Sequence, residues 1–228
     1  MIYKNVLIIA AHPDDESIGA GGTLARWASE GVNVHTLFIA DGVGSRHGKS
    51  IEVTELKSRR RAAKMALDIL GLTNKPTFFD FPDNKLDTIP LLKIVQSIEF
   101  MIQYIRPDTV LTHHAGDLNI DHRRVHQAVL TACRPQPGHP VRQLLFFEVA
   151  SSTEWQTPGS GPTFMPNVFI DISDTMDRKR AALSAYEYEL RPWPHARSID
   201  AVEHLARWRG ASVGVAAAEA FMLGRLIQ

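Results

Sequence analysis

Cysteine is nearly absent from this chain: Cys133 is the single one among 228 residues. One thiol excludes an internal disulfide framework, and this composition is typical of a reducing compartment. Long apolar runs are missing as well, because no segment approaches the roughly 18–20 residues that a membrane span requires. The short apolar run at 6–11 lacks the length and the cleavage site of a secretory signal. Together these absences predict a cytoplasmic protein with no membrane span.

An excess of charge of one sign is also absent. Lys plus Arg number 25 and Asp plus Glu number 25, so the formal net charge is zero. A general nucleic-acid binder usually carries a basic surplus, so the composition argues against a nucleic-acid partner. The 44% hydrophobic and 22% charged residues exclude a disordered, collagen-like or coiled-coil chain. With no internal repeat and no long linker, residues 1–228 are predicted to form one domain.

Short apolar runs alternate with longer amphipathic segments along the first two-thirds of the chain. Strands that alternate with helices favour βαβ units, whose crossovers are almost always right-handed on a parallel sheet. The predicted fold class is therefore α/β: a Rossmann-like, three-layer fold around a mostly parallel sheet, with an elaborated C-terminal part. Strands are predicted at 5–11, 34–40, 77–81, 108–112, 144–150 and 167–172, and helices at 22–30, 53–70, 90–105, 121–133, 174–189, 201–209 and 215–225.

Acidic and histidine side chains follow the predicted strand ends. His-Pro-Asp-Asp-Glu at 12–16 comes directly after the first strand, and 113–122 follows the fourth. In an open α/β sheet, ligands bind at the carboxyl ends of the strands. Acids placed directly after a buried strand are costly without a partner, and a divalent cation is such a partner. A mixed nitrogen and oxygen donor set suits zinc, or another first-row metal, better than calcium or magnesium.

The spacing within these segments suggests which side chains would meet. His12 and Asp15 are three residues apart and can point to the same side of a turn. A catalytic zinc needs three protein ligands and an open position, and His122 is the natural third candidate. We expect His126, one helical turn further, to be a surface histidine. The alternative for the adjacent aspartates at 14–15 is a helix N-cap without a metal.

The motif at 11–16, Ala-His-Pro-Asp-Asp-Glu, together with Asp-His at 121–122, resembles the LmbE-like, or PIG-L, family of zinc-dependent N-deacetylases. Further similarities include Arg59, the Phe-Pro-Asp-Asn turn at 81–84 and Pro-His-Ala-Arg-Ser at 194–198. Weaker matches, Arg-Gly at 209–210 and Ala-Glu-Ala-Phe at 218–221, extend the resemblance to the C-terminus. The motif after the first strand is its most specific part.

The resemblance implies a role for each matching position. One Zn²⁺ per chain would be held by His12, Asp15 and His122, and Asp14 would be the general base for the metal-bound water. Arg59 would contact the substrate.

A second group of residues is implied less directly by the resemblance. Many family members carry a histidine at the position of Asn119, where it stabilises the tetrahedral intermediate. In this chain that role could pass to His113, His114 or His195, or stay with Asn119 as a neutral donor. His195 is also a candidate for substrate binding. Of the adjacent pair at 113–114, we expect one to face the site and the other to pack.

The expected function is removal of the N-acetyl group from an N-acetylated amino sugar or glycoconjugate. One alternative is an amidase of a sugar–thiol conjugate with the same metal site. Another is a non-catalytic sugar- or metal-binding module, which the retained Asp14 disfavours. A nucleotide-binding Rossmann domain is disfavoured because the first turn lacks G-x-G-x-x-G and the chain has no P-loop pattern. Assembly into a homo-oligomer is left open.

Overall fold

The computed structural model describes residues 4–44 and 53–228. The strands are β1 (Asn5–Ala10), β2 (Asn33–Ala40), β3 (Thr77–Phe81), β4 (Thr109–His113), β5 (Gln143–Phe147), β6 (Val168–Asp171) and β7 (Ala218–Leu226). The helices are α1 (Asp15–Ser29), α2 (Val53–Leu70), α3 (Leu91–Ile105), α4 (Ile120–Ala132), α5 (Met176–Ser184) and α6 (Ile199–Ala211), with two 3₁₀ turns at Leu86–Thr88 and Ser173–Thr175.

The seven strands form one sheet in the order β3-β2-β1-β4-β5-β7-β6. The first five are mutually parallel, whereas β7 runs antiparallel to both β5 and β6. The chain proceeds outward from β1 to β3 and then returns to place β4 on the other side of β1. Strand order therefore reverses between β1 and β4, and ligands of open α/β sheets bind at such a switch point.

Helices cover both faces of the sheet. Along β1, Val6 and Ile8 pack into one apolar cluster, whereas Leu7 and Ile9 pack into the other, as the two-residue period of a strand requires. Residues of α1, α2 and α5 complete the first cluster, and residues of α3 and α4 complete the second. The predicted α/β class with a mostly parallel sheet is confirmed. No helix in the described ranges combines the length and apolar character that a bilayer crossing requires.

The prediction of a helix at 215–225 is wrong, because this segment contains most of the nine-residue strand β7. Ala, Glu, Met and Leu are good helix formers, but here β7 fills the gap between β5 and β6 and pairs with both. Pairing on two edges and burial of Phe221 outweigh the local helix preference. The predicted helix at 174–189 is also too long, since α5 ends at Ser184.

The helix after β1 begins at Asp15, seven residues before the predicted start at Gly22. Glycine suggested a turn in this region, but here it permits close packing. A Cβ built on Gly22 would lie 2.7 Å from Cδ1 of Ile172, and one on Gly19 would collide with the ring of Phe147. Starting the helix early places the acidic residues of 14–16 at its N-terminus, next to the end of β4.

Candidate active site

The turn between β1 and α1 directs adjacent aspartates to different sides. Asp14 has φ 129° and ψ −29°, a conformation that costs a residue with a Cβ about 1–3 kcal/mol. Hydrogen bonds hold it there: its N–H donates to Oε2 of Glu16 (3.0 Å), and its carbonyl accepts from the N–H of Ile18 (3.0 Å). The N–H of His12 donates to Oδ2 of Asp15 at 2.8 Å. In this strained turn the Asp15 side chain lies next to the histidines, whereas the Asp14 side chain lies next to two arginines.

Three buried donors converge at the switch point. Oδ2 of Asp15 lies 3.4 Å from Nδ1 of His12 and 3.3 Å from Nε2 of His122, and the three ligand atoms all lie within 4.8 Å of one another. Burial alone would raise the pKa of Asp15, but the histidines, His122 foremost, hold it well below its usual range. Two imidazoles and a carboxylate from two separate elements form the kind of donor set that binds zinc. These residues therefore fit the implied metal.

Each of the two histidines also lies next to a carboxylate through its other ring nitrogen. Nδ1 of His122 lies 3.1 Å from Oδ1 of Asp117. Nε2 of His12 lies 3.0 Å from Oδ1 of Asp83 and 3.1 Å from Oδ2 of Asp121. Outer carboxylates of this kind fix the orientation and raise the basicity of ligating imidazoles.

His12, Asp83 and Asp121 form a second group of donors within 4.8 Å of one another. Both oxygens of the Asp121 carboxylate already accept backbone hydrogen bonds, from the N–H groups of Asn84 (2.7 Å) and Leu86 (3.0 Å). We therefore interpret this group as support for the His12 ring rather than as a second metal site.

Asp14 sits between two guanidinium groups. Its Oδ1 lies 3.4 Å from Nη2 of Arg59, and its Oδ2 lies 3.3 Å from Nη1 of Arg197. Burial raises the pKa of Asp14, while the two arginines act in the opposite direction. Arg59 also pairs with Glu189, and it lies against Gly42, where a Cβ would stand 3.3 Å from Nε of the arginine. Gly42 also has φ +71°, a backbone conformation that other residues rarely adopt, so this turn favours glycine.

A cleft of about 170 Å³ opens over these groups. It contains the proposed base, the donor cluster and the two arginines. Its lining is polar and consists of His12, Asp14, Asp15, Gly42, Arg59, Asp83, Asn84, Asn119, His122, Glu189 and Arg197.

The two histidines at the end of β4 differ in position. His113 lies beneath the site: its Nε2 accepts the N–H of Ala11 (2.7 Å), and its ring stacks on His122 with centroids 3.9 Å apart. Burial and the neighbouring His122 keep the pKa of His113 well below the usual value. His114 packs away from the site, with Nε2 donating to the carbonyl of Pro162 at 2.9 Å. The structure thus places His113 against His122, beneath the cleft, and His114 against Pro162. A catalytic role for either residue stays a prediction.

Two further histidine predictions have different outcomes. The prediction that His126 lies on the surface is wrong, since it is 6% exposed and its Nδ1 donates to the carbonyl of His113 at 2.8 Å. His195 does not line the cleft; its Nδ1 accepts the N–H of Arg197 (2.9 Å), and its ring contacts Trp155 edge-on. A substrate contact from His195 stays a prediction.

Sequence reasoning missed four residues that shape the site. Asp83 and Arg197 both lie in segments that carry the resemblance, but in the second segment the predicted site residue was His195. Asp117 lies in the loop between the fourth strand and His122, where its position could have suggested a supporting role. No local sequence pattern indicated a site role for Glu189, because it lies in an irregular turn after α5. The missed set is Asp83, Asp117, Glu189 and Arg197.

A family model supports the same interpretation from sequence. The PIG-L model, described as GlcNAc-PI de-N-acetylase, matches residues 7–133, more than half of the chain. The chain belongs to the PIG-L family. The matched range contains the donor cluster, Asp14 and Arg59, whereas Arg197 lies outside it.

Individual relatives are similar over most of this PIG-L family chain. The diacetylchitobiose deacetylase of Thermococcus kodakarensis is 32% identical over 200 residues, covering 81% of this chain and 69% of that protein. The 4-oxalmesaconate hydratase of Pseudomonas putida is 26% identical over 204 residues, covering 84% of this chain and 76% of that protein. The crystal structure of a conserved protein from Thermus thermophilus has a TM-score of 0.76 and 27% identity, covering 99% of this chain and 96% of that one.

Proposed function

We propose that this chain is a metal-dependent hydrolase that removes the N-acetyl group from an N-acetylated amino sugar or sugar conjugate. One observation carries the proposal: a three-donor cluster and a carboxylate outside it, Asp14, face the same cleft. A relative named for the deacetylation of diacetylchitobiose supports the substrate class. We also propose that residues 1–228 act as one domain and that the protein is cytoplasmic, as its single cysteine predicts.

His12, Asp15 and His122 would hold the metal, and zinc fits this donor set best. The metal, when bound, would lower the pKa of a water molecule and polarise the acyl carbonyl. The ring of His122 must lose a proton before it can act as a ligand. Against the effect of burial, Asp15 and Asp117 raise the pKa of His122 to about 9. Metal affinity should therefore increase as the pH rises toward that value.

Asp14 would move the protons in this reaction. As a carboxylate it would accept a proton from the attacking water, and as a carboxylic acid it would return that proton to the leaving amine. Burial makes it a stronger base than an exposed aspartate, while Arg59 and Arg197 favour the ionised form that a base needs at rest. Strain at the Asp14 backbone is typical of functional positions, at active sites and ligand clamps alike.

A covalent mechanism through cysteine is disfavoured by the position of Cys133. The side chain is fully buried in the apolar cluster between the sheet and α3–α4, and burial raises the pKa of its thiol to about 12. A protonated, inaccessible thiol is not a nucleophile. Water activated by Asp14 is therefore the nucleophile that this site supports.

Acetate release tests the function directly. The zinc-loaded protein is incubated with N-acetylglucosamine, N,N′-diacetylchitobiose and N-acetylglucosaminides with inositol, malate or peptide aglycones, and acetate and free amine are both measured. We expect equal amounts of the two products, and the Asp14→Asn variant serves as the inactive control. Absence of acetate from every substrate would contradict the proposal. Turnover of an unsaturated tricarboxylate would then favour a hydratase, the activity named for one relative.

A further inference from the structure

We propose that Arg197 is a catalytic residue whose guanidinium stabilises the negative charge on the acyl oxygen during attack. This inference rests on the proposed deacetylase function. In many family members a histidine at the position of Asn119 has this role. Here the role is assigned to an arginine from the C-terminal part of the chain.

Among residues 4–44 and 53–228, the histidines at or near the cleft are not placed to supply that donor. Those lining the cleft are His12 and His122, which belong to the metal cluster. His113 uses Nε2 as an acceptor for a backbone N–H beneath the site, and Nε2 of His114 donates to the Pro162 carbonyl. His195 contacts Trp155 and the backbone of Arg197. Within the described lining of the cleft, the donor therefore comes from another residue type.

Asn119 lines the cleft, but its side-chain oxygen already accepts a hydrogen bond from the backbone. It caps α4, since its Oδ1 accepts the N–H of Asp121 at 2.8 Å. Its amide NH₂ is a neutral donor, and hydrogen bonds from neutral groups are about half as strong as those from charged ones. A stronger donor at this site must carry a positive charge.

The two cleft arginines differ in how fully carboxylates enclose them. The Arg59 side chain is 7% exposed and contacts Asp14 on one side and Glu189 on the other. The Arg197 side chain is 24% exposed and contacts Asp14 through Nη1 alone. Its Nε donates to Oγ of Ser151 at 2.9 Å, which anchors the guanidinium while its tip stays at the cleft. Of the two arginines in the described lining, Arg197 is thus the one that an arriving substrate can reach.

The movement of charge during the reaction explains why this contact would favour the transition state. As water attacks, one of its O–H bonds breaks and the proton passes to Asp14. A C–O bond forms at the acyl carbon, and the π pair of the carbonyl moves onto the acyl oxygen. When that pair returns, the C–N bond breaks and Asp14 donates its proton to the amine. During attack, negative charge therefore leaves Asp14 and appears on the acyl oxygen.

At rest, Nη1 of Arg197 lies 3.3 Å from Oδ2 of Asp14. During attack the guanidinium would interact instead with the acyl oxygen, where the negative charge appears. Its contact with the acyl oxygen would be stronger in the transition state than in the bound substrate, which is the condition for raising kcat. Removing one such donor lowers kcat by about 10²–10³-fold in well-studied acyl-transfer sites.

The test compares Arg197→Ala and Arg197→Lys with the wild type, all zinc-loaded, in acetate release. We expect Arg197→Ala to lose about 10²–10³-fold in kcat with little change in KM or zinc content. Added guanidinium ion should restore part of the activity, and Arg197→Lys should be intermediate because it keeps the charge without the planar fork. Arg191→Ala is the matched control, since Arg191 lies in the same segment and its Nη1 donates to the carbonyls of Tyr188 and Leu190. The control should keep wild-type kinetics and gain nothing from guanidinium.

A second readout does not depend on turnover. Acetate, whose carboxylate carries charge where the acyl oxygen does, should bind zinc-loaded Arg197→Ala about tenfold more weakly than wild type in calorimetry. The acetate-binding measurement can be made even if the substrate screen finds no deacetylation. Failure of the proposed function and failure of this inference are therefore distinguishable.

Three results would overturn the assignment. A rise in KM with unchanged kcat would show that Arg197 binds the ground state only. Full recovery of kcat at high pH would show that it acts only by keeping Asp14 ionised. Acetate affinity equal to that of wild type would remove it from the acyl oxygen.

Discussion

Lys179 and Glu219 form an ion pair buried beneath α1, with side chains 2% and 4% exposed. The Lys179 ammonium also donates to the carbonyl of Ile18 at 2.7 Å. The Glu219 carboxylate accepts the N–H groups of Gly22 (2.9 Å) and Thr23 (2.7 Å). The pair therefore ties the helix that begins at Asp15 to α5 and β7. It stabilises the element that carries the active-site turn without lying in the cleft.

Lys179→Met should be strongly destabilising. The substitution leaves the Glu219 carboxylate buried without its cation, which typically costs about 3–5 kcal/mol, as urea denaturation would measure. Arg180→Met is the control: its guanidinium is exposed and pairs with Glu203, so we expect a cost of about 1 kcal/mol or less. The double variant Lys179→Met/Glu219→Gln should recover part of the loss. Strictly additive costs would show that the two groups are not coupled.

Asp14→Asn and Asp15→Asn should separate catalysis from metal binding. Asp14 is outside the three-donor cluster, so its asparagine variant should keep zinc while kcat falls by about 10²–10⁴-fold. Asp15→Asn removes a ligand, so zinc content should drop and added zinc should partly restore activity. Zinc content and acetate release are measured at substoichiometric and saturating zinc. A fully active Asp14→Asn protein, or one that has lost its zinc, contradicts this division.

Asp117→Asn should weaken metal binding without touching a ligand. The Asp117 carboxylate faces Nδ1 of His122, and it also accepts hydrogen bonds from Oγ of Ser152 and Oγ1 of Thr153. Loss of a supporting carboxylate typically lowers metal affinity 10–100-fold, to be measured by competition with a chromogenic chelator. Asp87→Asn, at an exposed position of the 3₁₀ turn Leu86–Thr88, should bind zinc as tightly as wild type. Equal affinity in both variants would exclude this role for Asp117.

Arg59→Ala should affect both kinetic constants. A predicted substrate contact would make KM rise. The structure adds a reason for kcat to fall, because Arg59 lies beside the Asp14 carboxylate and opposes the rise in its pKa. Without this cation, Asp14 should need a higher pH to ionise, and the acid limb of the kcat profile should shift upward in pH. Arg60→Ala is the control, since Arg60 pairs with Asp80 on the surface. A wild-type KM would remove Arg59 from substrate binding.

Cys133 should make stability fall with rising pH in the alkaline range. Burial raises the pKa of the native thiol from 9.0 to about 12, so above pH 9 the unfolded chain releases a proton that the native chain keeps. Stability is complete below pH 9 and is lost as the pH approaches 12; the loss at pH 10.5 is about 2 kcal/mol.

The measurement compares urea denaturation of wild type and Cys133→Ala between pH 8 and 10.5. Replacement of the thiol lowers stability through packing at every pH, but only the wild type should show the additional alkaline loss. Parallel pH curves for the two proteins would mean that the native thiol ionises normally. In native protein at pH 8, the thiol should also resist alkylation until denaturant is added.

The sequence by itself determined the features that local physics encodes. The apolar run of β1 is typical of a strand buried on both faces, and a polar segment that follows such a strand lies at the carboxyl edge of the sheet. His12 and Asp15 come together because they share one turn, and His122 follows the neighbouring strand β4. Alternation of strands and helices was likewise enough to predict the α/β class and the parallel part of the sheet.

Only the tertiary structure decided which distant side chains complete the site. Asp14 and Arg197 meet although 183 positions separate them, and no periodicity in the chain predicts that Arg197 rather than His195 reaches the cleft. The same limit explains the error at β7, where helix-forming residues became a strand because two neighbouring strands offered hydrogen bonds on both edges. Local propensities amount to tenths of a kcal/mol per residue. Burial and long-range pairing contribute more, and they depend on partners that become neighbours only after the chain has folded.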